Sequence, residues 1–203
     1  MSSLTRILRR MSFRSDTYNE VLLTLRSGDL VNSAPVGVLY RRGKLYARIY
    51  SGSKTYESIK SGVNKCSVCI TLDPFLFYYA VLEKDKLRYV FDEYTDYPCI
   101  VDCDTCIYGE LEVLEEKQYY LWIAIKPERI KFYRRLPRVY HRCDYALIEA
   151  LIYYTKIPYV EHLREKYIEK IMSCRETIYR STRSKRYREA IDKILSLIRS
   201  YNI

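Results

Sequence analysis

Arg48, Ser53, Lys54 and Thr55 bring an arginine, a lysine and two hydroxyls into one short stretch, a set of side chains suited to a phosphate. A guanidinium holds a phosphate through charge-assisted hydrogen bonds, each contributing about 1.5–3 kcal/mol, and hydroxyls add further donors. Upstream, Asn32, Ser33, Ala34, Pro35 and Val36 form a run of mostly small residues. Gly28, Gly37, Gly43 and Gly52 fall in the same segment, Thr24 to Ser61. Small residues let a flat ring approach the backbone. The segment therefore reads as a site for a phosphorylated aromatic cofactor, against the alternative of an exposed strand arginine followed by an ordinary capped turn.

The chain has seven cysteines, among them Cys66-x-x-Cys69 and Cys103-x-x-Cys106 with Cys99 nearby. Such pairs have the spacing of zinc ligands. Residues 66 to 69 read as strand interior, however, where positions three apart point to opposite faces, and neither pair sits on a glycine-bearing turn that wraps a metal. Buried free thiols are expected, and no metal site is assigned. His141 and Arg142 open a helical stretch in which Tyr145 and Glu149 follow His141 on one face. Neither histidine has a nucleophile beside it, so no catalytic residue is assigned. Arg180, Arg183, Lys185, Arg186 and Arg188, interleaved with Tyr179 and Tyr187, have the composition of a nucleic-acid contact. A linker kept soluble by charge is the competing reading. The chain contains no P-loop, dinucleotide fingerprint or serine nucleophile elbow.

The elements that must position these residues are short strands. Residues 1–15 carry four arginines without clear periodicity and read as an N-terminal arm. Strands are expected at Tyr18–Leu25, Leu30–Tyr40, Leu45–Tyr50 and Lys65–Thr71, with Pro35 marking an edge or a bulge. Ser53 or Thr55 caps a short helix running to about Lys60. Pro74 starts a second short helix, and Leu87–Phe91 is a further strand. Cys106–Tyr133 reads as a long hairpin with a break at Lys126-Pro127. Six or seven short strands with two short helices suit a small barrel over residues 16–139. After Pro137 the period becomes helical, with helices at about 142–156, 159–179 and 185–201, so residues 140–203 read as a three-helix subdomain. The fold class is α+β, mainly β barrel.

Charge divides along the same line. Residues 1–125 hold 16 basic and 16 acidic residues, whereas residues 126–203 hold 19 and 9, which accounts for the net +10. Tyrosine occurs 23 times against 5 Phe and 1 Trp, so many rings are expected to be half-buried or at interfaces. No apolar run is long enough to span a membrane and no export signal is evident, so the expected location is the cytoplasm, with reduced thiols.

The ordered string Tyr18-Asn19-Glu20, Thr24, Asn32 to Val38, Arg48-x-Tyr50-x-Gly52-Ser53-x-Thr55-Tyr56, Asp73-Pro74-x-x-Phe77, His141-Arg142 and Ile148 to Ile152 with Thr155 resembles an archaeal family of flavin-mononucleotide-binding split-barrel proteins. The resemblance runs from residue 18 to about 157 and is more distantly similar to pyridoxamine-phosphate oxidases and flavin reductases. It implies a split β-barrel that forms a homodimer, holds flavin mononucleotide (FMN) at the dimer interface and belongs among possible oxidoreductases. By the same resemblance, Arg48, Ser53 and Thr55 hold the phosphate, Asn32, Ser33, Ala34, Pro35 and Val36 line the isoalloxazine, and His141 and Arg142 approach from the helical side. Two positions depart from the family pattern: Glu57-Ser58 and Cys69 stand where asparagine is usual.

Overall fold

The computed structural model describes residues 3–11, 13, 19–94, 96–134, 142–182 and 184–200. They divide into two compact units, one of Met1–Thr71 with Tyr79–Leu136, the other of Leu72–Tyr78 with Pro137–Ile203.

In the first unit, strands β1 (Asn19–Ser27), β2 (Leu30–Arg41), β3 (Lys44–Tyr50), β4 (Lys65–Ile70), β7 (Thr105–Glu116) and β8 (Tyr120–Phe132) close into an antiparallel barrel in the order β1-β2-β3-β8-β7-β4. A separate two-stranded sheet is formed by β5 (Tyr89–Phe91) and β6 (Pro98–Ile100). Inward-facing Val21, Leu23, Leu25, Val36, Val38, Leu45, Ala47, Val68, Ile107, Leu121, Ile123 and Ile125 fill the barrel. β3 alternates buried and exposed residues, as a strand with one wet face must. On β1, by contrast, Val21 to Leu25 are all buried, because β6 lies against its outer face.

The barrel is split between β2 and β3. β2 pairs with β1 from Leu30 to Val38, but with β3 only at Leu39–Arg41. Pro35 sits opposite Leu22 on β1, on the part of β2 whose other side has no strand, so its missing N–H costs no ladder bond. At the other expected break, the β7–β8 register jumps from Tyr108 opposite Arg129 to Gly109 opposite Pro127. Gly109 is required there, because a Cβ would run into the Lys126 carbonyl.

The N-terminal segment corrects one expectation. Ser3–Arg10 forms helix α1, with Leu8 fully buried in the barrel core and Phe13 beside it. Leu4, Ile7, Leu8 and Met11 recur at helical spacing, and the arginines between them mask this short apolar stripe. Two further short helices follow along the chain, α2 (Lys54–Lys60) and α3 (Pro74–Leu82). The Asp73 carboxylate accepts from the Phe75 amide (3.0 Å), so Asp73-Pro74 starts α3 as its sequence implies.

In the second unit, α4 (Arg142–Lys156), α5 (Arg164–Ser181) and α6 (Lys185–Ser200) pack through Leu147, Ala150, Leu151, Ile171, Cys174, Ile178, Ile191, Ile194 and Ile198. α5 starts later than the expected residue 159, since 3-10 turns at Ile157–Tyr159, with its Pro158, and at Glu161–Leu163 precede it. Among the described residues, no helix is long and apolar enough to cross a membrane.

Candidate functional site

The split carries the residues singled out for a ligand. β3 ends at Tyr50, the chain turns through Gly52 at a positive φ of 76°, and α2 begins. Ser53 caps α2: its hydroxyl accepts from the Tyr56 amide (3.1 Å) and donates to the Tyr50 carbonyl (2.8 Å). α2 lies against β1, β2 and β3 and inserts Ile59 into the barrel core. This packing brings Thr55 to Asn32 of β2, whose amide donates to the Thr55 hydroxyl (3.0 Å). Lys84, in the 3-10 turn Lys84–Lys86, donates to the Asn32 carbonyl oxygen (2.6 Å). Burial, and then the positive charge of Lys54, hold the Lys84 ammonium below its ordinary pKa. Lys84 on Asn32 and the nearby Lys54 thus repel each other beside the opening, and an anion there would relieve that repulsion.

The predicted residues do not all behave alike. Arg48 and Lys54 are exposed, with the Arg48 guanidinium over the Tyr120 ring at 5.3 Å. Ser53 has its hydroxyl proton committed to the cap, and Thr55 is buried, so both shape the site more than they offer donors to it. Asn32, Ala34 and Pro35 are partly exposed at the opening. Val36 points into the barrel core. Ser33 is buried on the outer face, bonded to Thr24 (2.7 Å) and accepting from the Tyr89 hydroxyl (3.1 Å). His141 and the side chain of Arg142 lie outside the described residues. Glu57 is exposed on α2. Lys84 was not anticipated, because in sequence it is one charge in the mixed run Glu83-Lys84-Asp85-Lys86 and only the fold carries it to Asn32.

Beside Arg48, the outer face of β3 and β8 is aromatic. Tyr46 stacks on Trp122 (6.0 Å between centroids) and Tyr50 meets Tyr120 edge-on (6.1 Å), with Tyr50 49% exposed.

The cysteines separate as strand geometry requires. Cys66 faces the barrel core and donates to the Gly109 carbonyl (3.3 Å), while Cys69, three residues on, lies on the opposite face. There it joins Cys99, Cys103 and Cys106, with Cys99 and Cys106 bonded as a disulfide. Burial alone would raise the Cys69 pKa, but hydrogen bonds from Cys103, the Ile100 backbone, Thr24 and Ser67 outweigh it and lower the value to about 7.

The basic run of the second unit is largely engaged within that unit. Arg180 pairs with Glu176 (2.5 Å), Arg186 lies over the Phe75 ring, and Arg188 donates to the Tyr179 and Thr182 carbonyls. Arg183 lies outside the described residues. These contacts favour the structural reading of the run over a nucleic-acid contact. Glu149 is exposed, and Tyr153 is raised to about 12, first through its hydrogen bond to Glu149.

Comparison with known proteins returns the family and fold that the motif string implied. An uncharacterized protein of Methanocaldococcus jannaschii is 29% identical over 150 residues, covering 68% of this chain and 74% of that protein. The crystal structure of an FMN-bound protein from Methanosarcina mazei matches with a TM-score of 0.74 at 21% identity, over 92% of this chain and 98% of that one. A flavin reductase, HpaC, complexed with NADP+ matches at 0.51 with 12% identity, over 65% of this chain and 89% of that one. The family model described as protein of unknown function (DUF447), N-terminal domain, matches residues 19–134, and the chain belongs to that family.

Proposed function

We propose that this protein binds FMN at the split between β2 and β3 and acts as a flavin-dependent oxidoreductase. The observation that carries the reading is the shared architecture with the FMN-bound protein of Methanosarcina mazei across 92% of this chain. The side chains at the split fit such a ligand. Arg48 and Lys54 supply exposed positive charge for a phosphate, with Lys84 close to Lys54. Asn32, held at both ends by Thr55 and Lys84, presents a fixed amide at the opening, and Ala34 and Pro35 leave room for a ring. Ser53 and Thr55 fix the turn that aims these groups. When bound, the flavin supplies the electron transfer, and the protein contributes binding and orientation.

The active form in this proposal is a homodimer. Arg48 and the rings of Tyr46, Tyr50, Tyr120 and Trp122 form a partly exposed face of tyrosine, tryptophan and arginine, the residue types enriched at subunit interfaces. A second copy seated there would cover the site that the single chain leaves open.

The absorbance spectrum of the purified protein, followed by titration with FMN, tests the reading. A yellow, FMN-binding protein is expected, and a colourless one that takes up no FMN overturns it. Arg48→Ala removes one charge-assisted bond and should weaken FMN binding roughly 10- to 100-fold. Riboflavin, which lacks the phosphate, should bind the variant almost as it binds the parent. Equal losses for both ligands would remove Arg48 from the phosphate.

A further inference from the structure

We propose that Cys69, Cys99, Cys103 and Cys106 form a tetrathiolate site for a single tetrahedral zinc ion on the outer face of the barrel. Their sulfurs all lie within 4.8 Å of one another. Three of the separations are Cys69 to Cys99 at 3.7 Å, Cys69 to Cys106 at 3.7 Å and Cys99 to Cys103 at 3.4 Å. A zinc–sulfur bond of about 2.3 Å in a tetrahedron sets the sulfurs about 3.8 Å apart, so these three separations are near what one ion requires, and the disulfide-bonded Cys99–Cys106 pair has to open to reach it. An iron–sulfur cluster interposes several atoms between its cysteines and needs them spread wider. Cysteines used as apolar filler pack against carbon, and nothing in such a role draws four sulfurs together.

The topology builds the site from three places. Cys69 of β4 and Cys106 of β7 are cross-strand partners. β6 contributes Cys99, and the turn that follows, closed by the Cys103 amide donating to the Ile100 carbonyl (3.3 Å), returns Cys103 to the same point. The spacings Cys99-x3-Cys103 and Cys103-x2-Cys106 lie within the range that wraps one metal. All four side chains are buried, none above 1% exposed.

The surroundings stabilise negative charge on sulfur. Tyr89 donates to Ser33 (3.1 Å), Ser33 is bonded to Thr24 (2.7 Å), and Thr24 to Cys69 (3.7 Å), so the Ser33 proton is free for Thr24 and the Thr24 proton for Cys69. With Tyr89 donating to Ser33, this chain can deliver a hydroxyl proton to the Cys69 sulfur, the role that outer hydrogen bonds play around bound metals. The Cys99–Cys106 disulfide is then the oxidised, metal-free form. A dithiol reductant converts it to two thiols and itself becomes a cyclic disulfide, and Zn²⁺ binding releases the protons of the four thiols. Nothing in this proposal depends on flavin.

The full chain, reduced with a dithiol, incubated with zinc and freed of excess metal, is tested by elemental analysis. It should retain about one zinc per chain, and Cys103→Ser should retain less than about a tenth of that. Cys174→Ser, in the second unit, should retain the full complement. Thr24→Val should weaken zinc binding about 10-fold or more. Should Cys103→Ser fail to fold, cobalt added to the reduced parent protein decides, since four thiolates around cobalt give intense visible bands. Reduced protein that holds no zinc and gives no such bands overturns the proposal. So does zinc that survives Cys103→Ser.

Discussion

Each unit carries an aspartate–arginine pair beside a tyrosine, and the two pairs are not equivalent. In the barrel unit, Arg129 of β8 pairs with Asp92, beyond the end of β5, and lies over the rings of Tyr94 and Tyr108. In the helical unit, Arg175 of α5 pairs with Asp192 of α6 (2.7 Å) and lies over Tyr179, which donates to the same aspartate (2.5 Å). The side chain of Asp92 is 2% exposed and that of Asp192 is 45% exposed. One chemistry therefore serves two purposes. The buried pair sits at the end of β5 in the β5–β6 sheet, which supplies Cys99 to the cysteine cluster, whereas the exposed pair decorates a seam that apolar side chains already hold.

The sharpest test of this contrast is Asp92→Asn. Removing one partner of a buried pair strands the other charge, and because Arg129 keeps 37% of its side chain exposed the loss should sit at the low end of such cases, about 3 kcal/mol in denaturant unfolding. A cost below about 1 kcal/mol would mean that the pair behaves as an exposed one. A smaller effect, about 1 kcal/mol, is expected for Ser53→Ala, which removes the cap of α2 and loosens the turn below Arg48. Its FMN affinity should fall less than that of Arg48→Ala, and a larger fall would make the Ser53 hydroxyl a direct contact.

The smallest effect belongs to Asp192→Asn, at most about 1 kcal/mol for so exposed a pair. Its pH dependence has a definite sign. Partial burial raises the Asp192 pKa, but hydrogen bonds from Tyr179 and Arg175 outweigh it, so the folded value lies below the ordinary 3.8. The stabilisation is therefore present above pH 3.8 and is lost as pH falls through the lower folded value. The difference in stability between parent and Asp192→Asn should shrink on acidification in that window. A difference that grew instead would break the assignment.

Much of the fold was legible because its signals are local. Pro35 marked an edge or a bulge, and it lies at the split. Ser53 was one of two capping candidates with Thr55, and it caps α2. The periodic run from Arg142 to Lys156 became α4 with those bounds. Helix α1 was obscured because arginines interrupt a stripe only one face wide. β6 was not anticipated, being only three residues long and beginning at Pro98, with no alternation to read.

The cysteines show where sequence stops. Strand geometry correctly placed Cys66 and Cys69 on opposite faces, because side-chain direction in a strand is a local, two-residue period. It could not show that Cys69 meets Cys106 across 37 residues or Cys99 across 30, since those contacts depend on β4 pairing with β7 and on β6 lying against β4. The same division applies to the candidate cofactor site. Residue types alone nominated Arg48, Lys54 and Asn32 through charge and size. Only the closed barrel, with β2 and β3 parted, decided that Lys84 joins Asn32, that Ser33 turns away toward Thr24, and that Val36 belongs to the core. Propensity and capping act over a few residues and can be read from the chain, whereas a site assembled from distant strands exists only once the sheet has closed.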